Sequence, residues 1–156
     1  MLAVIQRIAE GKVTVDGRVI AECEGKGILV LLGVTHGDDE NDAVLLADKI
    51  GKLRIFEDEN GKMNLSLADV DGGIIVVPNF TLYASYRKGN RPDYMNSAHP
   101  DIAKPLFEFF ADYITKYTSK VTRGEFGADM KVSIINDGPV TIPMDSAVLK
   151  QPKKTV

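Results

Sequence analysis

The chain has 156 residues, of which 44% are hydrophobic and 26% charged, with a formal net charge of -3. That mix suits one globular domain and excludes a disordered or globally basic chain, so any RNA contact must come from a local basic patch. The single cysteine, Cys23, excludes an intrachain disulfide and argues against a cysteine-based zinc site.

The N-terminal run Met1-Leu2-Ala3-Val4-Ile5-Gln6-Arg7 has neither the pattern of a signal peptide nor that of a membrane span, and the cytoplasm is the expected compartment. Leu2 to Ile8 reads as a buried strand. Lys12 to Val15, Asp16-Gly17 and Arg18 to Ala21 predict a hairpin, since Asp-Gly supplies the positive φ angles of a type I′ turn. The continuous apolar run Gly27 to Val34 predicts a central strand. Ala43, Leu46, Ala47, Ile50 and Leu53 recur at helical spacing and predict an amphipathic helix over roughly Glu40 to Leu53. Arg54-Ile55-Phe56 reads as a short strand and Glu57 to Gly61 as a polar turn.

Gly73 to Val77 predicts another buried strand. It runs into Pro78, which must lie at an edge, a bulge or a strand end because proline cannot donate to a ladder. Tyr86 to Pro100 is polar, basic and rich in turn formers, and reads as a long loop. Ile102, Leu106, Phe109, Phe110, Tyr113, Ile114 and Tyr117 mark a second helix. Pro100 suits its first turn, while Pro105 implies a later start or a kink. Two strands, Lys120 to Phe126 and Met130 to Ile134, complete the pattern. The expected class is α+β: a mostly antiparallel or mixed sheet with two main helices in a single domain over residues 1–146, followed by a loose polar tail over 147–156.

The chemistry missing from the sequence narrows the function. His36 and His99 are far apart in polar sequence, and there is no H-E-x-x-H or Cys/His cluster, no G-x-S-x-G elbow, no Walker loop and no G-x-G-x-x-G. No metal and no cofactor are expected. Cys23 has no evident base partner, which disfavours a thiol nucleophile. An enzyme with this composition must work through backbone groups, hydroxyls and its own substrate.

Two segments stand out: Pro78-Asn79-Phe80-Thr81-Leu82 and Asn136-Asp137-Gly138-Pro139-Val140-Thr141. Taken singly they read blandly. Asn, Asp, Gly and Pro make turns, and a threonine after a strand reflects β propensity. Together with Gln6-Arg7, Arg54 to Asp58, Lys62-Met63-Asn64, Tyr83, Arg87 to Pro92 and Phe126 to Val132, they resemble the D-aminoacyl-tRNA deacylase family from Met1 to about Ser146, in the family's order and spacing.

The resemblance implies hydrolysis of the ester joining a D-amino acid to the 3′-terminal adenosine of tRNA, by a homodimer with a shared site and no membrane association. It implies a cis Gly138-Pro139 pair that enters the partner's site and rejects L-amino acids. Thr81 and Phe80 correspond to the catalytic motif, and Arg7 to the arginine that holds the Gly-Pro loop. Phe126, Gly127 and Met130 correspond to the adenosine pocket, and Asn136 stands with them as a supporting residue. Crowding the L side-chain direction with backbone carbonyls would refuse any L residue but pass glycine, so glycyl-tRNA on a non-cognate tRNA is an expected second substrate. Backbone N–H groups near Phe80 and Thr81 are candidates for carbonyl stabilisation. With no base to activate the Thr81 hydroxyl as nucleophile, assistance from the 2′-hydroxyl of the terminal ribose is preferred. The run Arg87 to Arg91 reads equally as a phosphate contact or a solvated loop.

One feature departs from the pattern. The family's first motif usually begins Ser-Gln, and this chain has Pro78-Asn79. A related group that edits small L-aminoacyl-tRNA starts the motif with proline and carries a trans Gly-Pro. That group, and a non-catalytic dimeric RNA- or protein-binding module, are the alternatives.

Overall fold

In the computed structural model, which describes residues 1–152, Asp16 and Gly17 both have positive φ, 49° and 76°, as a type I′ turn requires. They join β1 (Leu2–Val15) to β2 (Arg18–Gly33), two strands longer than the sequence suggested. Register shifts at Ile8/Glu10 and Val13/Thr14 bend the pair. The first shift also changes the face that β1 presents. Ala3 and Ile5 join the helix-side core, whereas Val13, an even number of residues further on, joins the opposite core with Ile8.

From β1 and β2 the main sheet extends to three further strands, in the order Val121–Arg123, Gly73–Pro78, β2, β1, Lys131–Asp145. β5 (Gly73–Pro78) lies parallel to β2 and to β6 (Val121–Arg123), and β1 is antiparallel to both β2 and β7 (Lys131–Asp145). β5 and the part of β2 from Gly27 onward are buried on both faces, which is why both read as unbroken apolar runs. Ile28, Val30, Ile74 and Val76 pack under the helices, while Leu29, Ile75 and Val77 pack against Val13, Ala21 and Cys23 from the curled hairpin. The class is α+β with a mixed sheet and three helices.

α1 (Glu40–Gly51) buries Ala43, Leu46, Ala47 and Ile50, the residues expected to face the core. Asp39 caps it and Asp42 completes a reciprocal capping box. α2 (Pro100–Tyr113) starts at Pro100 and runs straight through Pro105, so Pro105 does not delay its start. Pro105 is exposed, and its missing donor falls on the solvent side, where water can serve the freed carbonyl.

Other boundaries differ from the sequence reading. The strand at 54–56 is Phe56–Glu57 (β3), paired with β4, Met63–Leu65, in a small hairpin across what reads as a polar turn. The strand expected over Lys120 to Phe126 is only Val121–Arg123, because the chain turns through Gly127, whose φ is +82°. The strand beginning near Met130 continues for fifteen residues instead of stopping at Ile134. Ser146–Leu149 forms α3, capped by the Asp145 carboxylate, so residues 147–149, read as the start of a loose tail, are helical. Lys153 and Lys154, also part of that tail, lie outside the described residues. Among the described residues no helix is long and apolar enough to cross a membrane.

α3 docks through a buried polar network. Ser146 Oγ donates to Asp42 Oδ1 at 2.7 Å and accepts from the Met1 ammonium at 2.8 Å, while Lys150 Nζ lies 2.7 Å from Asp42 Oδ1. Burial pushes the Asp42 carboxyl up, but the bonds from Lys150, Ser146 and the Asp39 amide outweigh it and hold the group well below the usual carboxylate range.

Candidate active site

The end of β5 sets the first part of the site. Pro78 pairs with Leu32 at the strand's last position, beyond the reach of β6, where its missing donor costs no ladder bond. The Asn79 N–H bonds the Leu32 carbonyl at 2.8 Å, and the chain then leaves the sheet in a 3₁₀ turn, Phe80–Tyr83. Thr81 therefore sits in a tight helical turn and not in a strand. Asn79 caps that turn. Its Oδ1 accepts from the Thr81 N–H at 3.2 Å and from the Thr81 hydroxyl at 2.5 Å.

The Thr81 amide is thus engaged, and the Phe80 N–H is the donor left without a partner among the described residues. Ser97 Oγ donates to the Phe80 carbonyl at 2.7 Å and braces the turn. Phe80, 59% exposed, meets the Tyr94 ring edge-on at a centroid distance of 5.1 Å.

This turn lines a cleft of about 790 Å³ at the end of the sheet. Phe80, Thr81, Phe126, Gly127 and Met130 share its wall, so five of the residues singled out from sequence are brought together. Its floor is apolar, with Leu31, Val77 and Phe107. His99 also lines it. That residue reads from sequence as a solvated loop histidine, but it is the N-cap of α2, with Nδ1 accepting from the Asp101 N–H at 3.3 Å. Tyr94, Ser97 and His99 were missed because a polar, turn-rich stretch carries no periodic signal to place it. Among the described residues no group of three or more His, Cys, Asp or Glu side chains is arranged to hold a metal ion.

Arg7, Asn136, Gly138 and Pro139 form a second cluster elsewhere. Gly138-Pro139 lies inside β7, not where a strand finishes. Ile8 pairs with Asn136 and Gln6 with Thr141, so the four residues Asp137 to Val140 bulge out of the ladder. The Gly138-Pro139 peptide is cis, and Gly138 has φ +122°. A Cβ at Gly138 would lie 3.0 Å from Arg7 Nη2 and 3.0 Å from Val140 Cγ2, so only glycine fits.

Arg7 is buried beneath this bulge. Its Nε donates to the Asp137 carbonyl at 3.1 Å and its Nη1 to the Ile55 carbonyl at 2.7 Å. Asn136 Nδ2 donates to the carbonyls of Arg7 and Val140, at 3.0 and 3.1 Å, and closes the base of the bulge. The two clusters are three strand positions apart in the sheet order and offset by about four residues along it, roughly 15–20 Å in all. Within one chain they do not meet.

The comparisons define the class as deacylases of aminoacyl-tRNA. A model described as D-Tyr-tRNA(Tyr) deacylase matches residues 4–145. Over 146 residues the chain is 55% identical to a D-aminoacyl-tRNA deacylase of Thermosipho africanus, covering 94% of this chain and 97% of that protein. Over 153 residues it is 52% identical to a D-aminoacyl-tRNA deacylase of Roseiflexus castenholzii, covering 98% and 97%. A solved structure titled c-Myc DNA unwinding element binding protein superposes with a TM-score of 0.86 at 38% identity, covering 93% of this chain and 98% of that one. The chain belongs to the D-Tyr-tRNA deacylase family.

Proposed function

We infer that this chain hydrolyses the ester of D-aminoacyl-tRNA in the cytoplasm, releasing free D-amino acid and tRNA. The observation that carries the mechanism is the state of the Phe80-Thr81 turn. The Thr81 hydroxyl gives its proton to an amide oxygen, Asn79 Oδ1, which is no base. A nucleophilic threonine would need a proton acceptor there, so the hydroxyl serves to hold the turn. The free Phe80 N–H is the natural donor to the carbonyl oxygen as charge develops on it. Water attack is then assisted by the substrate's own 2′-hydroxyl, with the adenosine held against Phe126, Gly127 and Met130.

The chirality filter is the bulge carrying Gly138 and Pro139. It projects from β7, an edge strand of fifteen residues none of which is buried. An edge this long, bearing exposed Val132 and Ile135, calls for cover. A second copy of the chain would supply it and would carry its own Gly138-Pro139 into the neighbouring cleft. The separation of the two clusters within one chain supports that arrangement.

The test is deacylation of D-Tyr-tRNA, L-Tyr-tRNA and glycyl-tRNA by the purified protein. Hydrolysis of the first and third with sparing of the second is expected. Resistance of glycyl-tRNA defeats the steric filter, and cleavage of the L ester defeats the chiral assignment. The name of the solved relative favours a second reading, a nucleic-acid-binding module without catalysis. Tight RNA or DNA binding with no turnover of any of the three esters would establish it.

A further inference from the structure

The loop between the 3₁₀ turn and α2 is a built surface. Ser85 and Asp93 exchange both backbone bonds, at 2.8 and 2.9 Å, and pinch off a tip of residues 86–92. Below the pinch, Thr35 Oγ1 donates to the Asn96 carbonyl at 2.5 Å, and His36 Nε2 lies 2.8 Å from the Met95 carbonyl. The base of the loop is therefore fixed to the end of β2. The tip carries Arg87, Lys88 and Arg91, none of them ion-paired among the described residues, on a chain whose net charge is -3. Tyr86 is 82% exposed and Met95 80% exposed, although both are large and apolar. The Asp93 carboxylate is turned back onto the Met95 N–H. Phe80 and the Tyr94 ring against it line the cleft at the foot of this loop.

Exposed rings interleaved with unpaired cations are the chemistry that binds single-stranded nucleic acid, with bases on the rings and phosphates on the cations. We propose that Tyr86, with Arg87, Lys88 and Arg91, forms a subsite for the unpaired nucleotides that precede the terminal adenosine of the substrate. This rests on the proposed function, which puts that adenosine in the cleft, so that the nucleotides before it pass over the cleft's rim.

Binding of an uncharged acceptor-stem RNA hairpin, with and without its unpaired 3′ nucleotides, tests the subsite apart from hydrolysis. The wild type should bind the hairpin with the unpaired end more tightly. Tyr86→Ala should weaken that binding about tenfold, the size of one base–aromatic stack, and erase the preference, whereas Tyr86→Phe should keep it. With D-aminoacyl-tRNA the Ala variant should show a raised KM and not a lowered kcat. Arg87→Glu should weaken both hairpins and flatten the salt dependence. Equal binding of the two hairpins by the wild type, or by Tyr86→Ala at wild-type strength, overturns the subsite even where D-ester hydrolysis stands. Dissociation of the oligomer by Tyr86→Ala would assign the surface to a second copy of the chain and overturn it too. Because Tyr86 is solvent-exposed, melting of the variants should match the wild type.

Discussion

Replacing Arg7 by Met tests whether the Gly138-Pro139 bulge is held from below. Arg7 is 5% exposed, and its guanidinium serves two backbone carbonyls, those of Asp137 and Ile55. Each bond from a charged donor is worth about 1.5–3 kcal/mol. Methionine fills the same volume and removes the cost of burying a charge, which offsets part of the loss. The ion pair with the Asp137 carboxylate, 3.3 Å away and 55% exposed, adds little. The net destabilisation is then about 3 kcal/mol, or a fall in Tm of roughly 6–12 °C for a domain this size. Lysine keeps the charge but has a single nitrogen where arginine reaches the two carbonyls from two, Nε and Nη1, so Arg7→Lys should fall between. The functional signal is separate from stability. Below the melting range, the rate ratio for D- over L-Tyr-tRNA should drop at least tenfold as the bulge loosens. A lower Tm with an intact ratio would make Arg7 purely structural. An unchanged Tm together with an unchanged ratio would refute the tether altogether.

Asn79→Ala frees the Thr81 N–H and hydroxyl together. Loss of a cap costs about 1 kcal/mol, and kcat should fall about tenfold with little change in KM; equal kcat would show that the turn holds itself. His99→Gln keeps a polar group on the cleft wall, so a rate that depends on the substrate's 2′-hydroxyl should change less than threefold, and a hundredfold loss would make His99 the missing base. The Asp42 carboxyl is held below its ordinary value, so its stabilisation is complete above about pH 4 and drains away as the pH falls towards its folded pKa. Asp42→Asn should cost about 2 kcal/mol at pH 7 by urea denaturation and less at pH 3; equal losses at both would show that the carboxylate's charge is not what docks α3.

Elements with local causes were legible in the sequence. Asp16-Gly17 needs no tertiary context to turn, and the apolar spacing from Ala43 to Ile50 can face a core in only one way. The misread elements are those whose length is decided by a neighbour. β7 continues past Ile134 because β1 is long enough to pair with it on both sides of the bulge. The β3–β4 hairpin is two short segments whose ladder pairs only with each other. Ser146 reads as no more than the polar end of the domain, yet it is buried because Asp42 waits under it as a partner more than a hundred residues away.

The two clusters of the candidate site were legible to different degrees, and the reason is geometric. Phe80-Thr81 and Phe126 to Met130 are far apart in sequence, but each follows the C-terminal end of a strand of the parallel trio β2, β5 and β6, so the topology carries both to one end of the sheet. The meaning of Pro78-Asn79 appeared only in three dimensions. Pro78 ends the strand where no neighbour requires its N–H, and the shorter Asn79 side chain reaches its own turn and engages both Thr81 donors. Gly138-Pro139 is the opposite case. Its four-residue bulge is anchored by Arg7 and Asn136, which do not touch the cleft, and it faces outward from an edge strand. Every contact that holds the bulge lies within this chain. In the proposed arrangement the cleft it filters belongs to a second copy, which is why the sequence of a single chain shows the two halves only as separate motifs.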